Sequence, residues 1–258
     1  MSSIRRSIRA AATVAVAVAP LAMAGAPAIA ASPFVQTTMI HNGSTPFFVS
    51  HGGGVRNTIV DSTNWSGYAA TGSTYTSVAT TFTEPAVKCS SGDQYSSFWV
   101  GLDGYSSSSV EQTGTEADCD GKTAEYSAWY ELYPADPVTY SNVVKPGDVI
   151  TETVTFSGTD TYTMTIKDAT EGWTKTTTKN SKGHARSSAE VIAEAPYSGG
   201  VLPLADFGTV NFSGSTVDGA SLASTNPTGM DMATSAGVAE ATIGTLSGGS
   251  FSDTWNSK

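Results

Sequence analysis

Hydrophobic and polar residues alternate along many short stretches of this chain, which is the pattern of β-strands with one buried face. Between residues 149 and 156, for example, Glu152, Val154 and Phe156 alternate with threonines. Clusters of Gly, Asn, Asp and Ser separate such stretches, and no convincing helical pattern lies between them. The pattern predicts one all-β domain, and its length favours a sandwich of two antiparallel sheets packed face to face. The predicted strands cover residues 64–70, 75–85, 95–102, 110–114, 124–133, 149–156, 162–167, 173–179, 187–194, 206–212 and 238–243.

The segment from Ser97 to Gly114 places polar groups suited to chemistry beside a strand. Trp99 lies in a strand-favouring run that ends in a glycine-rich corner. After a serine-rich loop, a second short strand carries Glu111 and Gln112. The turn therefore brings an acid, an amide and a tryptophan together, either as a functional site or as a well-packed hairpin. Taken alone, these residues favour the hairpin.

The start of the chain predicts export. Residues 1–31 combine a basic beginning, an apolar run of Ala and Val and a small-residue cleavage site, which together are typical of a secretory signal peptide. Residues 32–60 lack sustained periodicity and predict a leader or short propeptide, cleaved near Arg56. The folded domain is then expected to cover residues 61–258. We expect the mature protein to be secreted, extracellular and monomeric.

The composition makes the chain strongly acidic. Its formal net charge is −10, from 13 basic and 23 acidic residues. Residues 1–31 contain three arginines and no acid, so their removal changes the charge to −13. Such a surface argues against nucleic acids and anionic membranes as partners. It also fits a protein that works at low pH, although many secreted proteins are acidic.

The two cysteines, Cys89 and Cys119, flank the segment described above, and in an oxidising compartment they are expected to form a disulfide. The thiols and three histidines are too few and too scattered for a zinc site, so no metal is expected.

Only His184 lies beyond the leader, and no Gly-x-Ser-x-Gly motif is present, which disfavours a serine hydrolase. The tripeptides typical of pepsin-like enzymes are also absent.

Carboxylates and amides remain as candidate catalytic groups. A carboxylate can act as a general base toward water, and an amide can donate a hydrogen bond to a developing oxyanion. Glu190 and Glu194 would share one face of a strand with Ile192 between them, which indicates a half-buried cleft. The candidates in strand-like segments are Glu111, Gln112, Glu131, Glu190 and Glu194.

Six motifs, in order and at similar spacing, resemble those of the glutamic peptidases, the eqolisins or peptidase family G1. The resemblance covers roughly residues 62–212. The motifs are Asn64-Trp65-Ser66-Gly67-Tyr68, Trp99-Val100-Gly101-Leu102-Asp103-Gly104, Gln112-Thr113-Gly114, Trp129-Tyr130-Glu131-Leu132-Tyr133-Pro134, Ala189-Glu190-Val191-Ile192-Ala193-Glu194 and Leu204-Ala205-Asp206-Phe207-Gly208-Thr209-Val210.

The resemblance implies a concanavalin A-like sandwich and a secreted, acid-acting endopeptidase without a cofactor. Gln112 matches the family's catalytic glutamine, and Glu194 matches its catalytic glutamate. In this mechanism Glu194 acts as general base and acid toward water, and Gln112 stabilises the oxyanion. Val191 replaces the tryptophan usual in the family motif, which changes the cleft wall. Polypeptides are the implied substrates, and the implied substrate-binding residues are Trp99, Asp103, Trp129, Glu131 and Glu190.

An alternative remains open on the same fold. Sandwiches of this shape also bind carbohydrates or hydrolyse glycosides, and the fold does not decide between these functions. A glycosidase uses two carboxyl groups, and Glu131 and Glu194 are a possible pair. Trp99 and Trp129 would then be platforms for sugar rings.

Overall fold

Residues 59–258 are the part of the chain that the structure, a computed structural model, describes. Their regular structure consists of strands and one short 3₁₀ helix, Leu222–Thr225, which confirms the predicted all-β class. The described residues contain no helix with the length and apolar character needed to cross a membrane. The strands are β1 (Ile59–Ser62), β2 (Trp65–Thr71), β3 (Ser77–Thr83), β4 (Ser97–Leu102), β5 (Val110–Asp120), β6 (Thr123–Tyr133), β7 (Val138–Tyr140), β8 (Val149–Phe156), β9 (Thr161–Asp168), β10 (Trp173–Asn180), β11 (Ser188–Glu194), β12 (Thr209–Val217), β13 (Ala220–Ser221), β14 (Thr228–Ala233), β15 (Ala239–Ile243) and β16 (Phe251–Trp255).

The predicted signal peptide, residues 1–31, lies outside the described residues, as does the predicted leader up to residue 58. The last two residues of the predicted leader, Ile59 and Val60, belong to β1, which pairs in parallel with β14. Val60 is buried. Cleavage near Arg56 would therefore leave β1 attached to the folded domain.

The strands follow one hydrogen-bonded path that folds back on itself into two layers. The order is β10-β9-β8-β3-β12-β16-β15-β14-β2-β11-β4-β5-β6-β7. Contacts of β4 with β3 and β8, and of β5 with β8 and β9, bring the two halves of the path face to face. The predicted sandwich is confirmed, and β15 makes its two sheets continuous by pairing with both β14 and β16.

The core between the layers is built from alternate residues of facing strands. On β3 the buried positions alternate strictly, ending in Phe82. The Phe82 ring lies 5.9 Å from the Phe98 ring of β4 and 5.4 Å from the Phe212 ring of β12. Tilted aromatic pairs of this kind add to the free energy gained from apolar burial. This cluster therefore joins the two layers near the middle of the sandwich.

The centre of the second layer is buried on both faces. All residues of β4 and β11 are buried, and on β5 only Asp120 is exposed. One face of these strands packs into the core between the layers. The other face forms a separate apolar cluster around Trp65, Trp99 and Trp129. This second face is the one that the sequence analysis identified as a cleft.

Every predicted strand has a counterpart, but the hydrophobic pattern missed five. In β14, Asp231 separates two buried methionines and Gly229 precedes them, and both Asp and Gly are unfavourable in strands. In β16 the buried face carries Phe251 and Asp253, so an acid occupies a position where the pattern expects an apolar residue. The short strands β1, β7 and β13 carry too few residues for alternation to identify them.

The predicted disulfide is confirmed. The sulfur atoms of Cys89 and Cys119 are bonded, and the two Cα atoms are 5.4 Å apart. Cys119 lies near the end of β5, and Cys89 lies in the connection between β3 and β4. The bond ties that connection to the strand that carries Gln112.

Several acidic side chains are fully buried in the core. Glu152, on β8 between Ile150 and Val154, has no hydrogen-bond partner for either carboxylate oxygen among the described residues. Burial raises the pKa of Glu152 well above its usual value of 4.5, and the nearby Glu84 carboxyl raises it further. Burial also raises the pKa of Glu84. The folded protein thus retains protons that the unfolded chain releases in mild acid.

We expect the variant lacking both cysteines, Cys89→Ser with Cys119→Ser, to fold but to be less stable. The bond closes a loop with a sequence separation of 30. Its loss should lower the free energy of unfolding by about 3–4 kcal/mol, because the unfolded chain regains conformational freedom. Urea unfolding of the purified protein measures this change. A loss below about 1 kcal/mol would contradict the assigned contribution.

We expect Glu152→Gln to increase stability at about pH 7 and to change it little at about pH 4. Because the folded-state pKa is raised, the unfolded chain binds fewer protons above about pH 4.5, so stability falls as pH rises toward the folded pKa. The loss is up to about 1.4 kcal/mol per pH unit for one group. Urea unfolding at both pH values tests this, with Glu125→Gln on β6 as a less buried control. Identical pH slopes in the wild type and Glu152→Gln would disprove the assignment.

Candidate functional site

The cleft face lies on five neighbouring strands, β2, β11, β4, β5 and β6. Their registers align the candidate residues in rows across the sheet. One row contains Ile192, Trp99, Gly114 and Trp129. The next row contains Glu190, Gly101, Gln112 and Glu131. Because side chains two residues apart on a strand share a face, all these residues are directed to the same side.

Two glycines make room for the large side chains of this face. A Cβ atom on Gly114 would lie 2.6 Å from Trp99 Cβ and 2.9 Å from Trp129 Cζ2. A Cβ atom on Gly101 would lie 2.9 Å from Trp99 Cζ3 and 3.4 Å from Gln112 Cβ. The three separations below 3.0 Å, all to tryptophan side chains, are too short for real contacts. The glycines therefore allow both tryptophans to pack against the strand backbone.

Glu194 lies at the end of β11 with both carboxylate oxygens hydrogen-bonded. The Trp99 indole Nε1 donates to Oε2 at 2.8 Å, and Asn64 Nδ2 donates to Oε1 at 3.0 Å. Burial raises the pKa of Glu194 from 4.5 to about 8, and hydrogen bonds from Trp65, Trp99 and Asn64 oppose that shift. The carboxylate is therefore oriented by donors that stabilise its ionised form.

Gln112 is paired with Glu131 rather than with Glu194. The Gln112 side-chain amide donates a short hydrogen bond to Glu131 Oε2. Burial raises the pKa of Glu131 to about 9, the bond from Gln112 opposes this, and the charge of Glu194 adds to it. Glu131 is thus neutral in acid, and it fixes the orientation of the Gln112 amide. The second N–H of that amide remains as a possible donor.

The tryptophans occupy the space between the two candidate catalytic groups. Trp99 lies on β4, between β11 with Glu194 and β5 with Gln112. The Trp65 ring meets the Trp99 ring edge-on, with centroids 4.9 Å apart. Within residues 59–258, Gln112 and Glu194 share this face without a hydrogen bond to each other. A reacting group between them would contact the Trp99 side chain.

Asp103 and Glu190, both predicted to bind substrate, lie at the other end of β11 and β4. Asp103 is buried and accepts hydrogen bonds from the Arg186 and Ser187 backbone N–H groups at 2.6 and 2.8 Å. Glu190 is fully buried. Burial raises the pKa of Glu190, a hydrogen bond from Ser188 opposes this, and the charge of Asp103 adds to it. The Asp103 contacts run to the segment between β10 and β11, and Glu190 interacts with Ser188 of its own strand and with Asp103.

Sequence reasoning missed the role of Asn64. Asn64 is the first residue of the Asn64–Tyr68 motif, but nothing in the neighbouring sequence indicates which group its amide would contact. Its contact with Glu194 joins residues 130 positions apart. The pairing of β2 with β11 places Trp65 opposite Glu194, and Asn64 directly precedes that pair. Only the strand order reveals this contact.

The protein is thus an all-β sandwich with a buried carboxylate, an amide and tryptophans on one cleft face, and known proteins share this arrangement of sequence and fold. The model of the Peptidase A4 family matches residues 63–254. Aspergillopepsin-2 of Aspergillus niger is 30% identical over 198 residues, which cover 66% of this chain and 70% of that protein. The chain therefore belongs to the Peptidase A4 family.

Solved structures agree with this assignment. Scytalido-glutamic peptidase with a peptide-based transition-state analog superposes with a TM-score of 0.66 at 25% identity, covering 75% of this chain and 98% of that one. Aspergilloglutamic peptidase from Aspergillus niger superposes with a TM-score of 0.56 at 29% identity, covering 63% of this chain and 99% of that one. The resemblance to the glutamic peptidases is confirmed, and with it the enzyme class, a hydrolase of peptides.

We expect Asn64→Leu to raise the pKa of Glu194. The substitution removes a donor that stabilises the ionised carboxylate, and a hydrogen bond to a charged group contributes about 1.5–3 kcal/mol. The expected rise is about one to two pH units. Carbon-13 NMR of labelled glutamate, with Glu194→Gln to assign the signal, measures it. The exposed substitution Asn211→Leu on β12 should leave this pKa unchanged, and an equal pKa in Asn64→Leu would contradict the orienting role.

Proposed function

We propose that this protein is a secreted endopeptidase that hydrolyses polypeptides in acid with Gln112 and Glu194 as a catalytic dyad. The observation that carries the proposal is the orientation of the Glu194 carboxylate by Trp99 and Asn64 on the same face as Gln112. The structural relative scytalido-glutamic peptidase binds a peptide-based transition-state analog, which supports polypeptides as substrates. The signal-peptide pattern and the disulfide support an extracellular location. We propose that the enzyme acts as a monomer.

The two residues would act on opposite parts of the scissile peptide. Ionised Glu194 takes a proton from water as the water oxygen attacks the carbonyl carbon. The free N–H of the Gln112 amide donates to the carbonyl oxygen as it becomes negative. Glu194 then gives its proton to the amine as the C–N bond breaks. Neutral Glu131 holds Gln112 in place through this cycle, and no cofactor takes part in it.

The raised pKa of Glu194 has a consequence for this mechanism. A pKa of about 8 leaves the carboxyl protonated in acid, whereas the base must be ionised. Burial is the largest cause of the shift. Water that enters the cleft with substrate would hydrate the Glu194 carboxylate and reduce the effect of burial on its pKa. The hydrogen bonds from Trp99 and Asn64, which lower that pKa, would remain. We therefore expect the pKa of Glu194 to be well below 8 when substrate and water occupy the cleft.

Gln112→Glu and Glu194→Gln test the dyad. Both changes are nearly isosteric, so the fold should survive, as circular dichroism would show. Loss of an oxyanion donor typically costs about 10²–10³ in rate, and a general base contributes about 10²–10⁴. Both variants should therefore be nearly inactive on casein at acidic pH. Glu190→Gln and Glu131→Gln, which alter supporting groups, should lose less.

The alternative, glycoside hydrolysis by Glu131 and Glu194, differs in its prediction for Glu131→Gln, which should then lose activity as fully as Glu194→Gln. There Glu131 is one of two essential carboxyl groups rather than a support for Gln112. A polysaccharide assay beside the casein assay separates the two functions. The peptidase proposal fails if Glu194→Gln keeps most of its activity on casein while Glu131→Gln loses it.

A further inference from the structure

Behind the cleft, three potential metal ligands from distant parts of the chain converge. Asp103 directly follows β4, Glu111 lies on β5, and His184 lies in the segment between β10 and β11. One ligand atom of each lies within 4.8 Å of the other two. The Glu111 side chain is fully buried, and the His184 side chain is 13% exposed. Spacing of cysteine and histidine did not predict this group, because two of its ligands are carboxylates.

One ring nitrogen of His184, Nδ1, faces Glu111, and the other, Nε2, is hydrogen-bonded to Ser181. Its Nε2 lies 2.8 Å from Ser181 Oγ, a hydrogen bond in which the hydroxyl can accept from Nε2–H or donate to the bare nitrogen. When Nε2 carries the proton, Nδ1 keeps its lone pair. Nδ1 lies 2.8 Å from Glu111 Oε1, a contact that is an ion pair when the imidazole is protonated and a place for a cation when it is not. A metal-bound histidine is usually held in this way, by a partner on its second nitrogen.

Asp103 is held just as firmly. Oδ2 accepts the Arg186 backbone N–H at 2.6 Å, and Oδ1 accepts the Ser187 backbone N–H at 2.8 Å and the Ser187 hydroxyl at 3.0 Å. The Asp103 backbone itself adopts a left-handed conformation, with φ of 68°. Outer hydrogen bonds that orient a carboxylate are typical of protein metal sites. On the opposite sheet, the Tyr162 ring lies 6.2 Å from the His184 ring and encloses the group.

A protonated His184 imidazole can balance the negative charge of Glu111, but the neutral imidazole leaves both carboxylates of this group without a paired positive charge among the described residues. The nearby Arg186 guanidinium lies 3.8 Å from the Phe156 ring centroid, and its Nη1 donates to the Tyr75 carbonyl. Within residues 59–258, Arg186 forms no ion pair with Asp103 or Glu111. Buried carboxylates are costly unless they are protonated, paired or bound to a cation.

We propose that Asp103, Glu111 and His184 bind one divalent transition-metal ion, with Zn²⁺ the best match. Zinc accepts imidazole nitrogen and carboxylate oxygen at roughly 2.0–2.2 Å, which places neighbouring ligand atoms about 3–4 Å apart. Calcium prefers six to eight oxygen ligands and is a poor match for this set. The ion joins the segment from Ser181 to Ser187 to β4 and β5. Since Glu111 directly precedes Gln112, the ion also restrains the strand that carries the proposed catalytic amide.

The test is a zinc titration of the purified protein at about pH 7. Calorimetry should show one bound zinc per chain that depends on the three ligands. Zinc at about 100 times its Kd should raise Tm by on the order of 5 °C, whereas the same concentration of calcium should not. Glu111→Gln and His184→Gln should each abolish this binding. Ser181→Ala, which removes only the partner of Nε2, should weaken it about 10–100-fold.

Glu152→Gln is the matched control, because Glu152 is also a fully buried glutamate but lies outside the group. It should retain the zinc affinity of the wild type. Circular dichroism confirms that each variant is folded, and a cobalt absorption spectrum of the wild type reports the ligand set independently. The proposal is overturned if Glu111→Gln and His184→Gln bind zinc as tightly as the wild type, or if the wild type binds no zinc. Either result leaves protonation as the means by which the buried carboxyls are neutralised.

Discussion

The hydrogen bond from the Trp99 indole to the Glu194 carboxylate is the interaction on which the cleft depends. It requires β4 and β11 to be neighbours in one register, and it requires Gly101 and Gly114 to leave room for the indole. It also gives a buried carboxylate a donor in place of water, which such a group needs. Substitutions that shift either strand would therefore disturb the carboxylate even if they leave Glu194 itself unchanged.

Neutralisation of buried acids is a second constraint, and it acts throughout the sandwich. Glu84 and Glu152 lie in the core between the layers, and Glu131 and Glu190 lie on the cleft face. Burial raises the pKa of each of these carboxyls. A protein built in this way gains stability from protons that it binds in acid. The raised pKa values therefore stabilise the fold at the low pH proposed for the activity, whereas Glu194 must ionise at that pH to act as a base.

Membership of the Peptidase A4 family settles the class of chemistry, and the remaining questions concern individual side chains. Gln112 is held by Glu131, so the amide and the carboxylate of the proposed dyad are each oriented by a different partner. Asp103, which the resemblance assigned to substrate binding, anchors the segment before β11 through Arg186 and Ser187. The Asp103 side chain thereby links the end of β4 to the segment that leads into β11.

The amino-acid sequence by itself determined the strand class, the disulfide and the family. Alternation with a period of two is a local property, and it identified β3, β8 and β9 from their own residues. The six motifs are likewise short stretches of neighbouring residues. Local patterns failed where an acid or a glycine occupied a buried position, as Asp253 does in β16 and Gly229 does in β14.

Only the tertiary structure decided which polar groups meet. The contact of Asn64 with Glu194 and the convergence of Asp103, Glu111 and His184 depend on which strands become neighbours in the sheet. The order β2-β11-β4-β5-β6 joins segments that are far apart in the chain. Pairing partners are selected by the summed burial and hydrogen bonding of whole strands, and no single segment contains that information.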